Sequence, residues 1–499
     1  MRKHVHLYVL GYICAIEVFL LLPSAVLAFF EREGAALRAF SVTIGLLALL
    51  AMFLIRKRPD MSVLSPQDGY MIAAEAWLLL SFFGALPFFF SGAIPHFVDC
   101  IFESVSGFTT TGASILTDVE ALPRSLLFWR SFTHWIGGMG VLVFMLALIQ
   151  MAGGRSIYIM RAESPGPSVD KLVPKMRQSA GILYGLYILL TAVEVVLLLL
   201  GGMPLFDSLC NAFATAGTGG FAIKNASIAA YNSHYVQWVI TLFMFLFGVN
   251  FNVYFFLALG RIKEAFKNEE LHYYIGIMGA VILLIAFNIW KLYGSFYEAL
   301  RLSAFQVSSL MTTTGFATAD FDIWPEFSRT LLVLVMFIGA SAGSTGGGIK
   351  VSRFILLLGM AKRELKRIVN PRRVEVVRIN GKVVEEEVLT STANYLFVFI
   401  LIFVLSTVLV ALGDYDLETG FTAVAACINN IGPGLSLVGP TSNFQFFSDF
   451  EKLVLAADML IGRLEIMPML MLFTPLFRHK STRNKLLYNL NTHSAGPNT

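Results

Sequence analysis

Ten apolar runs dominate the chain, at about 5–30, 37–55, 69–92, 125–150, 179–202, 233–259, 272–293, 327–360, 390–413 and 449–477. A helix needs about 20 apolar residues to cross the hydrocarbon of a bilayer. No soluble interior hides ten such runs. Composition agrees: 56% of the 499 residues are hydrophobic and only 14% charged, where soluble domains carry about 25% charge. A soluble chain of this kind would be left with large exposed apolar patches. Disorder, collagen-like repeats and a disulfide scaffold are excluded on the same grounds. Cys14, Cys100, Cys210 and Cys427 are far apart in apolar sequence, and the eight histidines show no metal-ligand spacing. The N-terminal MRKH and the apolar run ending near PSAVLA resemble a secretory leader. The run is longer than a leader core and contains Glu17, so we expect it to remain as the first span.

The net charge of +4 matters less than its placement. Basic stretches follow every second run: Arg56, Lys57 and Arg58; Arg155, Arg161, Lys171, Lys175 and Arg177; Arg261, Lys263 and Lys267; Lys362 through Lys382; then Arg478, Lys480, Arg483 and Lys485. Cytoplasmic loops are the basic ones. Both termini are therefore expected in the cytoplasm, which agrees with an even number of spans.

The other connecting segments, 93–124, 203–232, 294–326 and 414–448, share an unusual outline. Each opens with a weakly apolar stretch too short to span and then reaches a glycine-rich kink. This is the pattern of a re-entrant half-helix. Irregular backbone at membrane depth is tolerated only where protein buries it or where it lines an aqueous cavity. The kinks read GFTTTGAS, ATAGTGGFA, MTTTGFATADF and CINNIGPGLS. Their shared residues, Gly112, Gly220, Gly315 and Gly432, are 108, 95 and 117 residues apart. The spacing predicts four repeats of span, half-helix, glycine and span. The domains expected are a two-helix segment at 1–60, repeats at 61–165, 166–270 and 271–388, and a fourth repeat with a tail at 389–499.

Such an element suits a permeating cation, which must exchange water for other oxygens. Backbone carbonyls supply strong dipoles without a net charge that traps the ion. Glycine reaches the backbone angles that turn successive carbonyls toward an axis. The candidate filter residues are Thr110, Thr111 and Gly112; Thr218, Gly219 and Gly220; Thr313, Thr314 and Gly315; and Asn430, Ile431 and Gly432. One kink of this kind is ordinarily helix packing. Four at near-constant spacing are not.

The four kinks, WRSFTHWIGGMGVLVF at 129–144, GASAGSTGGGIK at 339–350 and IGRLEI at 461–466 resemble the Trk, Ktr and HKT superfamily of potassium-uptake proteins, and within it the bacterial TrkH type. The likeness covers essentially the whole chain. It implies an all-α polytopic membrane fold of ten transmembrane helices. Four pseudo-symmetric helix–pore helix–helix repeats would surround one pore, preceded by two extra N-terminal helices. It also implies K+ as the transported ion, assembly as a homodimer in lipid of the bacterial inner membrane, and cytoplasmic TrkA-type nucleotide-binding regulatory subunits. The sequence departs from a symmetric filter in the fourth unit, where Asn430 and Ile431 replace threonines, so looser potassium-over-sodium selectivity is expected.

The string at 339–350 admits three readings. A phosphate loop is disfavoured, because the G-x-x-x-x-G-K-[ST] frame and a preceding strand are absent. A packing kink and a mobile gate remain, and the resemblance favours the gate, with Gly343, Ser344, Thr345, Gly346, Gly347, Gly348, Lys350 and Arg463 as its residues. Ionisable groups within spans are functional suspects. Glu17 and Glu194 are expected to pair with a neighbour or face a crevice, and His134 to be structural. A hairpin is expected to turn at Asn380-Gly381. No bond chemistry, organic cofactor or nucleic-acid partner is expected. The alternatives are a proton- or sodium-coupled potassium symporter on the same fold and, more remotely, a polytopic membrane enzyme.

Overall fold

The computed structural model describes residues 2–57, 59, 66–151, 176–372 and 374–472. Arg58, the basic stretch from Arg155 to Lys175, Arg373, the tail from Arg478 and the domain boundaries expected near 61 and 165 lie outside those residues.

The described chain is almost wholly helical. Helices α1 (Arg2–Phe30) and α2 (Gly34–Ile55) form an antiparallel hairpin, turned at Arg32 with φ 59°. Its tip is clipped to the start of α5: Arg124 pairs with Glu31 at 2.6 Å and donates its N–H to Glu33 at 2.7 Å. Next come α3 (Pro66–Phe90), α4 (Phe97–Phe108), α5 (Arg124–Met151), α6 (Met176–Leu200), α7 (Leu205–Ala216), α8 (His234–Phe247) and α9 (Phe251–Ala258). After a short turn follow α10 (Glu269–Tyr293), α11 (Phe296–Met311), α12 (Glu326–Phe337), α13 (Val351–Val369), α14 (Glu386–Val410), α15 (Leu417–Ile428), α16 (Asp449–Arg463) and α17 (Met467–Leu472). The expected hairpin is present: β1 (Arg378–Ile379) pairs with β2 (Lys382–Val383) across Asn380 and Gly381, at φ 51° and 74°.

Among the described residues, six helices (α1, α2, α3, α6, α10 and α14) are long and apolar enough to cross a membrane, or seven if α8 and α9 count as one bent span. α14 shows why these are lipid-facing. Phe397, Leu401, Val404, Leu405 and Val408 all point outward and are more than half exposed, an arrangement water does not tolerate.

Three runs read as single spans are broken helices. α8 and α9 meet at 90° across Gly248–Asn250. α12 and α13 are separated by residues 338–350, and α16 and α17 by 464–466. Local geometry marks two of the breaks. A side chain on Gly248 would collide with the Tyr274 hydroxyl, while Asn250 caps α9 by accepting the Asn252 N–H at 2.9 Å. Glu465 and Ile466 take left-handed backbone, φ 55° and 69°. Only α5 among the four equivalent helices runs unbroken. Hydropathy reports what a segment is buried in and carries no record of a change in its direction.

Candidate ion-conduction site

The short helices α4, α7, α11 and α15 end identically. In each, the residue two before the repeat glycine adopts left-handed backbone: Thr110 (φ 54°), Thr218 (53°), Thr313 (60°) and Asn430 (56°). The next N–H folds back onto the last helical turn: Thr111 to Ser106 at 2.9 Å, Gly219 to Ala214 at 2.8 Å, Thr314 to Ser309 at 2.7 Å, Ile431 to Ala426 at 2.8 Å. This is a Schellman closure, which ordinarily carries glycine or asparagine at the left-handed position. Threonine there is a genuine outlier that costs about 1–2 kcal/mol. Three of four units keep it, and strain of this kind collects at functional sites. Sequence reading had assigned the special backbone to the glycines alone.

The glycines follow with φ of 81°, 76°, 84° and 103° for Gly112, Gly220, Gly315 and Gly432. Their neighbours close a ring. A side-chain carbon on Gly112 would collide with the Gly219 carbonyl, one on Gly220 with that of Thr314, and one on Gly315 with that of Ile431. One on Gly432 would lie 2.9 Å from the Thr111 carbonyl. Units one, two, three and four thus touch in cyclic order through backbone alone, and all four glycines line one cavity of about 170 Å³. The C-terminal ends of four helices converge on this ring, where the partial negative charge favours a cation.

The threonine side chains serve the ring unequally. Thr111 and Thr314 bond back to Thr109 and Thr312 at 2.8 and 2.7 Å. Asn430 spans to Thr111 at 3.0 Å and to the Met459 carbonyl at 2.9 Å. Thr218 donates to the Gly217 carbonyl, whereas the buried Thr110 hydroxyl has no partner among the described residues.

The glycine-rich string between α12 and α13 lies directly beneath. Gly347 donates its N–H to the Thr313 hydroxyl at 2.6 Å. Side chains on Gly346 and Gly347 would press on the Thr312 and Asn429 carbonyls at 2.9 and 2.6 Å. Ser344 and Thr345 are buried, and Gly343 (φ 68°) accepts the Phe251 N–H at 3.1 Å; Gly348 also has positive φ, 67°. Lys350 turns into its own loop and donates to the Gly346 and Gly347 carbonyls. Arg463, the last residue of α16, donates to the Thr345 carbonyl at 2.9 Å and to the Gly137 carbonyl of α5 at 2.8 Å. It therefore ties units four, three and one together below the ring. Glu465 pairs instead with Arg353.

Sequence reading missed Glu270. Its carboxylate accepts the Ala342 N–H at 2.7 Å, the Ser352 N–H at 3.0 Å and the Asn250 amide at 3.3 Å. It clasps both ends of the loop and the α8–α9 bend. It also missed the buried Asp99–Lys452 pair at 2.6 Å, which joins α4 to α16. An acidic residue in the otherwise apolar half-helix α4 was the available signal for Asp99; Glu270, in the polar first turn of α10, offered none. His134 stacks on Phe221 with ring centres 4.1 Å apart and accepts its N–H at 3.3 Å. Glu17 and Glu194 are fully buried and make no ion pair among the described residues, contrary to the simplest expectation for them.

Fold and site together define a multi-pass helical membrane protein in which four short helices meet in one ring of backbone. The chain belongs to the TrkH family, described as cation transport protein, which it matches over residues 38–482. It is 36% identical over 465 residues to the Trk system potassium uptake protein TrkH of Salmonella typhimurium, covering 92% of this chain and 95% of that one. It is 34% identical over 487 residues to TrkG of Escherichia coli K12, covering 95% and 99%. The crystal structure of the potassium transporter TrkH from Vibrio parahaemolyticus superposes with a TM-score of 0.86 at 32% identity, over 96% of this chain and 100% of that chain.

Proposed function

We propose that this protein takes up potassium across the bacterial cytoplasmic membrane, with the four-unit ring as its selectivity filter. The single observation that carries the reading is the closed cyclic contact of Gly112, Gly220, Gly315 and Gly432 with their neighbours' carbonyls around one cavity. Backbone held this tightly presents carbonyl oxygens at fixed spacing, which is what exchange for an ion's water shell requires. Ten transmembrane helices in four pore repeats after two extra helices, with both termini cytoplasmic, are the topology we assign. The loop from Gly343 to Gly348, with Lys350 and Arg463, is the gate, since it underlies the ring and is tied by bonds that can be released one by one. Two copies assemble in the membrane. A cytoplasmic TrkA-type nucleotide-binding ring biases the loop, docking on the basic surface from Lys362 to Lys382. No covalent chemistry is involved.

Flux into liposomes holding only this protein tests the proposal. Potassium and rubidium should enter faster than sodium, and Gly220→Ser should erase the difference. A reversal potential that shifts with pH or sodium at constant potassium would instead indicate coupled symport.

A further inference from the structure

The strand that leaves each ring glycine is supported from behind by a short-helix side chain, and the four supports differ. In unit one, the Glu103 carboxylate of α4 accepts the Ile115 N–H, three residues past Gly112, at 3.0 Å and the Ser114 hydroxyl at 3.0 Å. In unit four, the Thr422 hydroxyl accepts the N–H of Leu435, again three past the glycine, at 3.0 Å. In unit three, Gln306 faces Thr318 at the same position, with its amide oxygen 2.8 Å from that N–H in the orientation that satisfies both groups. Unit two breaks the pattern. Asn211, its counterpart, turns its amide to the Tyr231 hydroxyl at 3.3 Å.

Unit two is gripped from unit one instead. Arg130 of α5 pairs with Glu103 through Nε, and its Nη1 donates to the Ala222 carbonyl at 2.8 Å, two residues past Gly220. Its guanidinium lies 3.5 Å from the centre of the Phe221 ring, on which His134 also stacks. Glu103 and Arg130 are 1% and 3% exposed, and Arg130 borders the cavity that the ring glycines line. A buried ion pair is weak evidence for stability, because desolvation offsets the attraction. Its geometry, however, is directional, and this one holds the backbone of two adjacent ring units at once.

We infer that Glu103 and Arg130 are positioning residues for ion discrimination, setting the spacing of the carbonyls contributed by units one and two from behind the ring. The inference rests on the filter reading above. Losing a charge-assisted hydrogen bond to the strand frees those two units while units three and four keep their own supports. The ring then loosens asymmetrically, and sodium gains.

Glu103→Gln, Arg130→Lys and the double variant Glu103→Gln/Arg130→Gln are reconstituted beside Gly220→Ser, reading the potassium-to-sodium uptake ratio and the yield of monodisperse protein. The double variant leaves no unpaired buried charge, and Arg130→Lys keeps the pair, so at least one of these folds. Glu103→Gln and the double variant should lower the ratio roughly tenfold, the scale of one charge-assisted hydrogen bond. Arg130→Lys, which loses the fork to Ala222, should lower it less. An unchanged ratio in the folded variants, or an equal loss of both fluxes, would overturn the inference. If Gly220→Ser changes the ratio and these do not, only the role of the pair falls. If Gly220→Ser leaves it unchanged as well, the filter reading falls with it.

Discussion

The ring and the loop beneath it are both glycine-rich and both buried, yet side chains have a different share in holding them. The ring is fixed by backbone against backbone, with no space for a side-chain carbon at Gly112, Gly220 or Gly315. The loop shares some backbone contacts, among them Ser341 N–H to the Gly248 carbonyl at 3.1 Å, but adds side chains that reach its backbone: Arg463 on Thr345, Lys350 on Gly346, Glu270 on Ala342, Thr313 on Gly347. Steric closure admits one arrangement, because packed cores are not continuously deformable. Discrete polar tethers can be exchanged for others, which is what a two-state element biased by a partner needs. On the proposed reading, the same residue type serves fixed spacing in one place and release in the other.

The contrast is broken most directly in the ring. Gly220→Ser and Gly315→Ser should cost the most, since each adds a collision to a backbone strain of about 1–2 kcal/mol. Potassium uptake should lose its preference over sodium by roughly tenfold or more, measured as paired isotope fluxes. Gly432→Ser should be milder, its nearest carbonyl standing at 2.9 Å. Equal losses at all positions would mean that crowding does not rank the ring.

Loop variants should do the reverse. Deleting residues 344–347, or Arg463→Ala, should raise flux with little change in ion preference, read by stopped-flow in liposomes. Because Arg463 bonds Thr345 within the deleted segment, the two changes combined should fall short of additive. Reduced flux in both, with intact protein, would make the loop a structural prop. Glu270→Gln should act in the same direction and more weakly. Gln retains the one oxygen that accepts both N–H groups but loses the acceptor for Asn250 and the charge-assisted strength, worth about 1 kcal/mol of the difference.

The smallest effect is expected at an exposed clip between loops. Lys224 bonds Glu120 at 2.9 Å between the loops of units one and two, and that hydrogen bond holds the Glu120 carboxyl below its usual range. A depressed carboxylate contributes above its unfolded pKa of about 4.3, and the contribution is lost as pH falls through the folded value. Glu120→Gln should therefore leave uptake near wild type at neutral pH and remove only an acid-side change in thermal stability. A large loss at neutral pH would make this exposed clip part of the ring's support.

Much of this was legible from pattern alone. Apolar runs gave the membrane class, and the four kinks pointed to four like helix ends, because both are patterns that survive in one dimension. The left-handed Thr110, Thr218 and Thr313 were hidden, since propensity argues against threonine there and only the tertiary ring overrides it. The breaks at 248–250 and 464–466 were hidden because an apolar run does not record a bend. Glu103 and Glu270 were hidden for another reason. Arg130, which pairs with Glu103, is 27 residues away, and Ala342 and Ser352, which bond Glu270, are 72 and 82 residues away, and nothing local announces them. Lys350 was legible as a buried cation but not as a donor into its own loop.

The central claim is that four backbone elements form one ion-selective ring. Its most direct test is uptake by liposomes containing the purified wild-type protein and, in parallel, the Gly112→Ser, Gly220→Ser, Gly315→Ser and Gly432→Ser variants, with potassium, rubidium and sodium compared at equal gradients. The account predicts that potassium and rubidium exceed sodium in the wild type, and that the preference is lost in the first three variants and weakened in the fourth. Equal entry of all three ions in the wild type, or an unchanged preference in all four variants, would contradict it.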